Sequence, residues 1–262
     1  MSWWVAELRL FFVALQFLTR LPVPRWVGHE PGWLNRCVRY FPLVGALVGA
    51  FGTLVMLAAS QWWPPTIAAV LAVTATVWLT GAFHEDGLAD TFDALGGAVP
   101  RDRALAIMKD SRIGTYGATA LVLVLGLRVA LISTLLQRGA AFASIALIGA
   151  HLAGRGCAVA LMATLPYAGD AEHAKAKPLA TAVPSASAVA AVVMVLLMVA
   201  CIGATGLAGE IGHWIVVLFC SMLVLLAMRA WLAARLGGYT GDTLGATEQL
   251  TEVAVLMALA AA

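Results

Sequence analysis

The chain has 262 residues, of which 62% are hydrophobic and only 11% charged, with a mean hydropathy of +0.91. Soluble domains carry about 25% charged residues, so this composition excludes an ordinary soluble domain and gives an all-α polytopic protein of the lipid bilayer. A net charge of +2 supplies no basic surface for nucleic acid.

From the N-terminus, Leu8 to Leu18 is apolar but short for a span, so it lies in the interface or re-enters the bilayer. Thr19-Arg20-Leu21-Pro22-Val23-Pro24 ends it, because Pro cannot continue a helix. A basic segment with Arg25, Arg36 and Arg39 precedes the first full span, 41–60, which carries a small-residue stripe at Gly45, Gly49 and Gly52. That stripe suits packing within the chain or a homo-oligomer equally well. Trp62-Trp63-Pro64-Pro65 makes an interfacial turn, and a second span, 66–83, leads into an acidic stretch. Further spans are expected at 116–136, 140–165, 186–207 and 213–232. A polar loop with Asp170, Glu172, His173, Lys175 and Lys177 separates the fourth from the fifth, and Gly209-Glu210 turns the chain between the fifth and sixth. The last apolar run, 253–262, is short, and joins part of the preceding segment in a final helix. The count is six to eight membrane helices in one catalytic membrane domain, 1–262. Cys37, Cys157, Cys201 and Cys220 show no CxxC spacing and read as small buried hydrophobes.

The densest chemistry lies between Gly81 and Gly117. Glu85, Asp86, Asp90 and Asp93 fall together with no Lys or Arg among them, a costly arrangement unless a cation neutralises it. On a helix at about 100° per residue, Asp86, Asp90 and Asp93 share one face. Three carboxylates on one face are hard-oxygen ligands suited to Mg²⁺ or Mn²⁺. Mg²⁺ commonly binds carboxylates together with substrate phosphates, so a phosphate-bearing substrate is the expectation. The plain alternative is a solvated acidic helix face. Beyond it, Lys109 and Arg112 bracket Asp110 and Ser111, which is what a transferring phosphoryl group needs beside a metal. A helix cap at Asp110 or Ser111 competes with that reading.

Placing the basic segment in the cytoplasm and alternating the spans puts one basic residue, Arg138, outside, and twelve of the 16 Lys and Arg in cytoplasmic loops and span ends. The same alternation brings a second acidic, Gly-rich segment, 237–252, to the side that holds 84–97. Asp242 then completes the carboxylate cluster, or simply caps the last helix. His151 and Arg155 stand four apart inside a span, where ionisable groups are expensive. Arg155 either reaches toward phosphate or is the counter-ion of an acid. Arg128, also within a span, reads as structural. His84 opens the acidic motif and is grouped with substrate binding without a defined role, while His29 and His213 read as interface residues.

HEDGLADTFDALGG followed by RDRALAIMKDSRIGTYG resembles the central motif of the cobalamin synthase family, the adenosylcobinamide-GDP ribazoletransferases. Phe17-Leu18-Thr19-Arg20-Leu21-Pro22-Val23-Pro24, Tyr40-Phe41-Pro42-Leu43-Val44-Gly45 and Gly241-Asp242-Thr243-Leu244-Gly245-Ala246 match other family segments in the expected order. The resemblance covers nearly the whole chain and is weakest over 166–210. It implies an Mg²⁺-dependent enzyme of the bacterial cell inner membrane, multi-pass, with its active site facing the cytoplasm. Its partners would be adenosylcobinamide-GDP and α-ribazole or its 5′-phosphate, and GMP would be released. On that reading Asp86, Asp90, Asp93 and Asp242 hold one or two metal ions. Lys109, Ser111 and Arg112, with Arg155 and His84, contact substrate. The ribazole 5′ hydroxyl attacks, and Glu85, Asp93 and Asp110 are the candidate proton acceptors. Two rivals stand beside it. Asp86-Gly87-Leu88-Ala89 echoes CDP-alcohol phosphotransferases of lipid synthesis, but Asp90 stands where those enzymes carry Arg. A divalent-cation transporter would want carboxylates deep within the spans.

Overall fold

The computed structural model describes residues 3–28, 30–169, 181–204 and 211–261. His29, the charged centre of the 166–184 loop and the Gly209-Glu210 turn lie outside the described residues. The elements are helical throughout: α1 (Trp3–Leu18), α2 (Pro31–Cys37), α3 (Phe41–Ala59), α4 (Pro65–Thr80), α5 (Phe83–Leu95), α6 (Arg101–Ile107), α7 (Thr115–Arg138), α8 (Ala140–Thr164), α9 (Ser185–Ala204), α10 (Ile211–Leu236) and α11 (Gly241–Ala261). Such an architecture follows from the bilayer, where every backbone N–H and C=O must be satisfied within its own segment.

By length and composition, five helical segments among the described residues can cross a membrane: 32–59, 115–138, 140–164, 212–236 and 241–261. The bent pair α4–α5 adds a sixth only when counted as one broken span. The chain is therefore a polytopic all-α membrane protein. Within the most apolar window of each span, 78% of α8 and 72% of α11 is buried, against 33% of α7 and 22% of α10. So α8 and α11 form the centre of the bundle, and α7 and α10 turn most of their surface to lipid.

The short apolar run expected at the C-terminus is the end of a full-length central helix. Its polar residues Glu248, Gln249, Thr251 and Glu252 are all buried, which is why hydropathy alone cuts it short. The N-terminal run extends to α1, 16 residues that bury Leu10, Ala14, Leu15 and Leu18 and expose Trp3, Trp4 and Leu8. Cys37 and Cys157 are buried as expected, but Cys201 is exposed and Cys220 half-buried on the outer helices.

The stripe at Gly45 and Gly49 is used within the chain. A Cβ on Gly49 would stand 2.7 Å from the Ile148 Cα, and one on Gly45 would strike the Arg155 side chain and the His151 carbonyl, so α3 and α8 touch backbone to backbone.

The expected second span does not run on to Phe83. It stops at Thr80, where Gly81 (φ 72°) and Ala82 (φ 58°) are both left-handed. The Ala82 N–H reaches the Val77 carbonyl at 2.9 Å and the Gly81 N–H the Trp78 carbonyl at 3.2 Å, a Schellman ending. The chain then bends by 89° into α5. This bend turns the acidic helix nearly at right angles to α4.

Candidate active site

α5 is held at its crossing with α11 by two glycines. A Cβ on Gly87 would come within 2.7 Å of the Asp242 carbonyl oxygen, and one on Gly245 within 3.1 Å of the His84 carbonyl oxygen. Only at that separation does the first turn of α11 lie against the acidic face of α5. Asp242 is not the cap of α11. Thr240 fills that place: its Oγ1 accepts the Thr243 N–H at 3.3 Å, and its own N–H donates to Thr243 Oγ1 at 2.9 Å. This is a reciprocal capping box with Thr in the position usually held by Glu or Gln.

Asp86 and Asp90 of α5 and Asp242 of α11 line one cavity of about 1210 Å³, together with Lys109, Asp110 and Ser111. Its apolar part includes Phe17 and Phe83, edge to face at 5.7 Å, with Leu105, Met108 and Tyr167. Pockets for small ligands run to about 300–1,000 Å³, so this cavity has room for a large one. Arg101, absent from the sequence-level candidates, also lines it. Arg101 donates from Nε to the Leu236 carbonyl at 2.8 Å and from Nη2 to the Ala168 carbonyl at 3.1 Å. Arg235 holds the carbonyls of Leu95, Gly97 and Val99 at 2.8–3.3 Å, closing the end of α5 and fixing the approach to α6. The Ala168 N–H donates to the Tyr239 carbonyl at 2.8 Å and the Tyr239 N–H to the Pro166 carbonyl at 2.9 Å. Three segments far apart in sequence are thus laced around the cavity mouth.

The remaining expected site residues lie elsewhere. Asp93 shares the helical face of Asp86 and Asp90 but turns both oxygens to the start of α7. Oδ2 accepts the Gly114 N–H at 2.7 Å and Oδ1 the Gly117 N–H at 2.8 Å. A carboxylate so placed satisfies two of the orphan amides of α7 and its positive dipole end. The cap expected from Asp110 or Ser111 is therefore supplied from α5. Asp93→Ala is expected to cost about 1–2 kcal/mol of stability, the usual scale for losing a cap, read as a lower thermal midpoint in detergent.

Asp110 opens on the cavity but accepts Nε (2.9 Å), Nη2 (2.5 Å) and the backbone N–H (3.1 Å) of Arg112. Those hydrogen bonds hold its carboxyl down at about 2. The folded value lies below the ordinary one, so the contribution of this pair to stability is present above about pH 4 and fades as pH falls toward 2. A carboxylate that acidic is a weak proton acceptor. Asp110→Asn is expected to leave the shape of the activity profile between about pH 5 and 9 unchanged, measured as initial rates across that range.

Glu85, His84 and Arg155 do not line this cavity. They belong to a network buried among α5, α7, α8 and α11. Glu85 Oε1 lies 3.3 Å from Arg128 Nη1 and accepts the Gln249 amide at 3.1 Å. His84 Nε2 lies 3.0 Å from Glu248 Oε2. Arg155 Nη1 lies 2.7 Å from Glu248 Oε1 and 2.8 Å from Glu252 Oε1. Arg128 Nη2 reaches Glu252 Oε2 at 2.9 Å, and His151 Nδ1 stands 2.5 Å from Glu252 Oε1. Arg155 is thus placed as the counter-ion of acids, and Arg128 with it. Spacing offered a partial signal: His151 and Arg155, like Glu248 and Glu252, stand four apart on apolar helices.

The donor set of the cavity suits a hard cation that shares its shell with substrate. Asp86 is exposed, and Asp90 and Asp242 are half-buried. Among the described residues no three His, Cys, Asp or Glu are grouped closely enough to enclose a metal unaided. Mg²⁺ demands no such cage, since it keeps waters and takes phosphate oxygens beside one or two carboxylates.

The sequence profile of the cobalamin-5-phosphate synthase family matches residues 10–260. The adenosylcobinamide-GDP ribazoletransferase of Leptothrix cholodnii is 52% identical over 257 residues, covering 97% of this chain and 95% of its own. Proteins of the same name from Shewanella piezotolerans and Polaromonas naphthalenivorans are 40% and 39% identical, each covering at least 97% of both chains. No solved structure matches. With the motifs of α5, α6 and α11 all inside the matched region, this chain belongs to the cobalamin-5-phosphate synthase family.

Proposed function

We propose that this chain joins adenosylcobinamide-GDP to α-ribazole or its 5′-phosphate, giving adenosylcobalamin or its 5′-phosphate and GMP. The observation that carries the reading is the convergence of Asp86, Asp90 and Asp242, from two distant segments, on one large cavity that also holds Lys109 and Arg101. Family membership supports the reaction class.

In the reaction a ribose hydroxyl oxygen bonds to the phosphorus that bears the corrinoid. The bond from that phosphorus to GMP breaks, GMP departs with the electron pair, and the hydroxyl loses its proton. A ribazole already phosphorylated at its 5′ oxygen has no 5′ hydroxyl. A single mechanism for both acceptors therefore needs a ring hydroxyl, not the 5′ hydroxyl expected from sequence. Asp86, Asp90 and Asp242 would hold Mg²⁺, which supplies charge stabilisation to the diphosphate as it is cleaved. Lys109 and Arg101 set positive charge on the cavity wall near the non-bridging oxygens. Arg112, expected at the substrate, does not line the cavity and is held outside it by Asp110, while the aromatic wall of Phe17, Phe83 and Tyr167 takes the apolar part of the ligands. The Lys and Arg distribution supports a cytoplasm-facing cavity in a bacterial inner membrane.

The transporter rival requires carboxylates deep within the spans. Glu85, Glu248 and Glu252 do lie inside the bundle, but Arg128 and Arg155 already face them as fixed cations. Purified protein given adenosylcobinamide-GDP, α-ribazole and Mg²⁺ is expected to yield cobalamin and GMP on chromatography, with neither formed in EDTA. Release of CMP from a CDP-alcohol, with the corrinoid left untouched, would replace this reading by the lipid-synthesis one.

A further inference from the structure

The buried network has no contact with the large cavity, yet it lies directly beneath it. A void of about 30 Å³, lined by His84 and Glu248, shares Phe17, Phe83 and Gly241 with the cavity above. Glu85, Arg128, Arg155, Glu248, Glu252, His84 and His151 each expose less than a tenth of their side chains. Buried ion pairs are often no more stabilising than apolar packing of the same shape, and are costlier still in a bilayer. Stability alone therefore does not account for a network of seven such side chains.

Their placement does. α5 meets α11 at Gly87 and Gly245, where neither helix has a side chain to interlock with the other. The two glycines set how closely the helices approach but present no ridge of their own to fix the register. Directional polar contacts supply it: His84 to Glu248, and Glu85 to Gln249 and Arg128. These contacts come from the two residues just before Asp86. On α11 they come from residues roughly 9 Å along the axis from Asp242.

We infer that His84, Glu85, Glu248 and Gln249 are positioning residues that fix the register of α5 on α11, and with it the spacing of Asp86, Asp90 and Asp242. The inference rests on the proposed reading of those three carboxylates as metal ligands.

The test is Mn²⁺ binding to detergent-purified protein with adenosylcobinamide-GDP present, with free Mn²⁺ followed by electron paramagnetic resonance against a control that holds the substrate without protein. Wild-type protein is expected to bind Mn²⁺ and Asp90→Ala to lose it. Glu248→Gln and Glu85→Gln are expected to weaken binding about 10-fold or more, the scale on which outer groups tune metal affinity. Gln249→Met leaves every ion pair in place and removes two contacts of a neutral amide, its bond to Glu85 (3.1 Å) and its acceptance of Arg128 Nη1 (2.9 Å), so it remains readable if the charge variants fail to fold, and the same direction is expected. Glu7→Gln breaks the α1 ion pair with Arg39 (3.1 Å). It is expected to lower the thermal midpoint without moving Mn²⁺ affinity. Wild-type affinity in folded Glu248→Gln, Glu85→Gln and Gln249→Met would overturn the inference while leaving the metal reading intact. No Mn²⁺ uptake by wild-type protein would remove both.

Discussion

Asp90→Ala is expected to lower the rate of corrinoid–ribazole joining by at least about 10³-fold while the protein still inserts and purifies as a folded species, as losing several kcal/mol of charge stabilisation at the phosphoryl group would do. Asp90 lines the cavity between the bend at Gly81-Ala82 and the point where Asp93 turns away to α7. Asp86→Ala should match it. Asp93→Ala should not, because that side chain serves the α7 amides. The measurement is initial GMP release at saturating substrate, normalised to monodisperse protein. Normal turnover in folded Asp90→Ala would sink the assignment of this carboxylate to the metal.

The second large effect is on stability. Arg128 is 1% exposed and faces Glu85 and Glu252 at once. Arg128→Leu takes from Glu85 its cation and leaves Glu252 to Arg155 and His151, and removing one partner of a buried pair costs about 3–5 kcal/mol. Loss of monodisperse protein on size exclusion, or a sharply lowered thermal midpoint, is expected. Arg112→Leu breaks an ion pair too, but the Arg112 side chain is 86% exposed. An exposed pair is screened by solvent and contributes little, so that variant should fold as the wild type does. Equal stability of the two variants would contradict the reading of the network as uncompensated once Arg128 is gone.

Much of this arrangement was legible in the residues. Apolar runs located α3, α7, α8 and α10, because a bilayer forces long uninterrupted helices. Charge alternation brought 84–97 and 237–252 to one end, and the cavity joins Asp86, Asp90 and Asp242 there. Three features were not legible. Gly81 marks a helix ending, but the bend also depends on Ala82 in a left-handed conformation that few non-Gly residues adopt, and nothing local marks that. Periodicity put Asp93 on the face of Asp86 and Asp90 but could not say that α7 starts within reach of it. The cap of α11 is a Thr240–Thr243 pair, a variant of the Ser/Thr with Glu/Gln signature that a sequence scan seeks. The network was half visible. Helical spacing grouped Glu248 with Glu252 and His151 with Arg155, but only packing shows that the two sets face each other.

The most direct test is a double-mutant cycle of Asp90→Asn and Asp242→Asn, read as rates of GMP release. Two carboxylates that serve one metal lose their function together. The double variant should therefore be scarcely slower than the slower single variant, far from the product of the two losses. Losses that multiply would mean that α5 and α11 act independently and that the cavity does not unite them in one site.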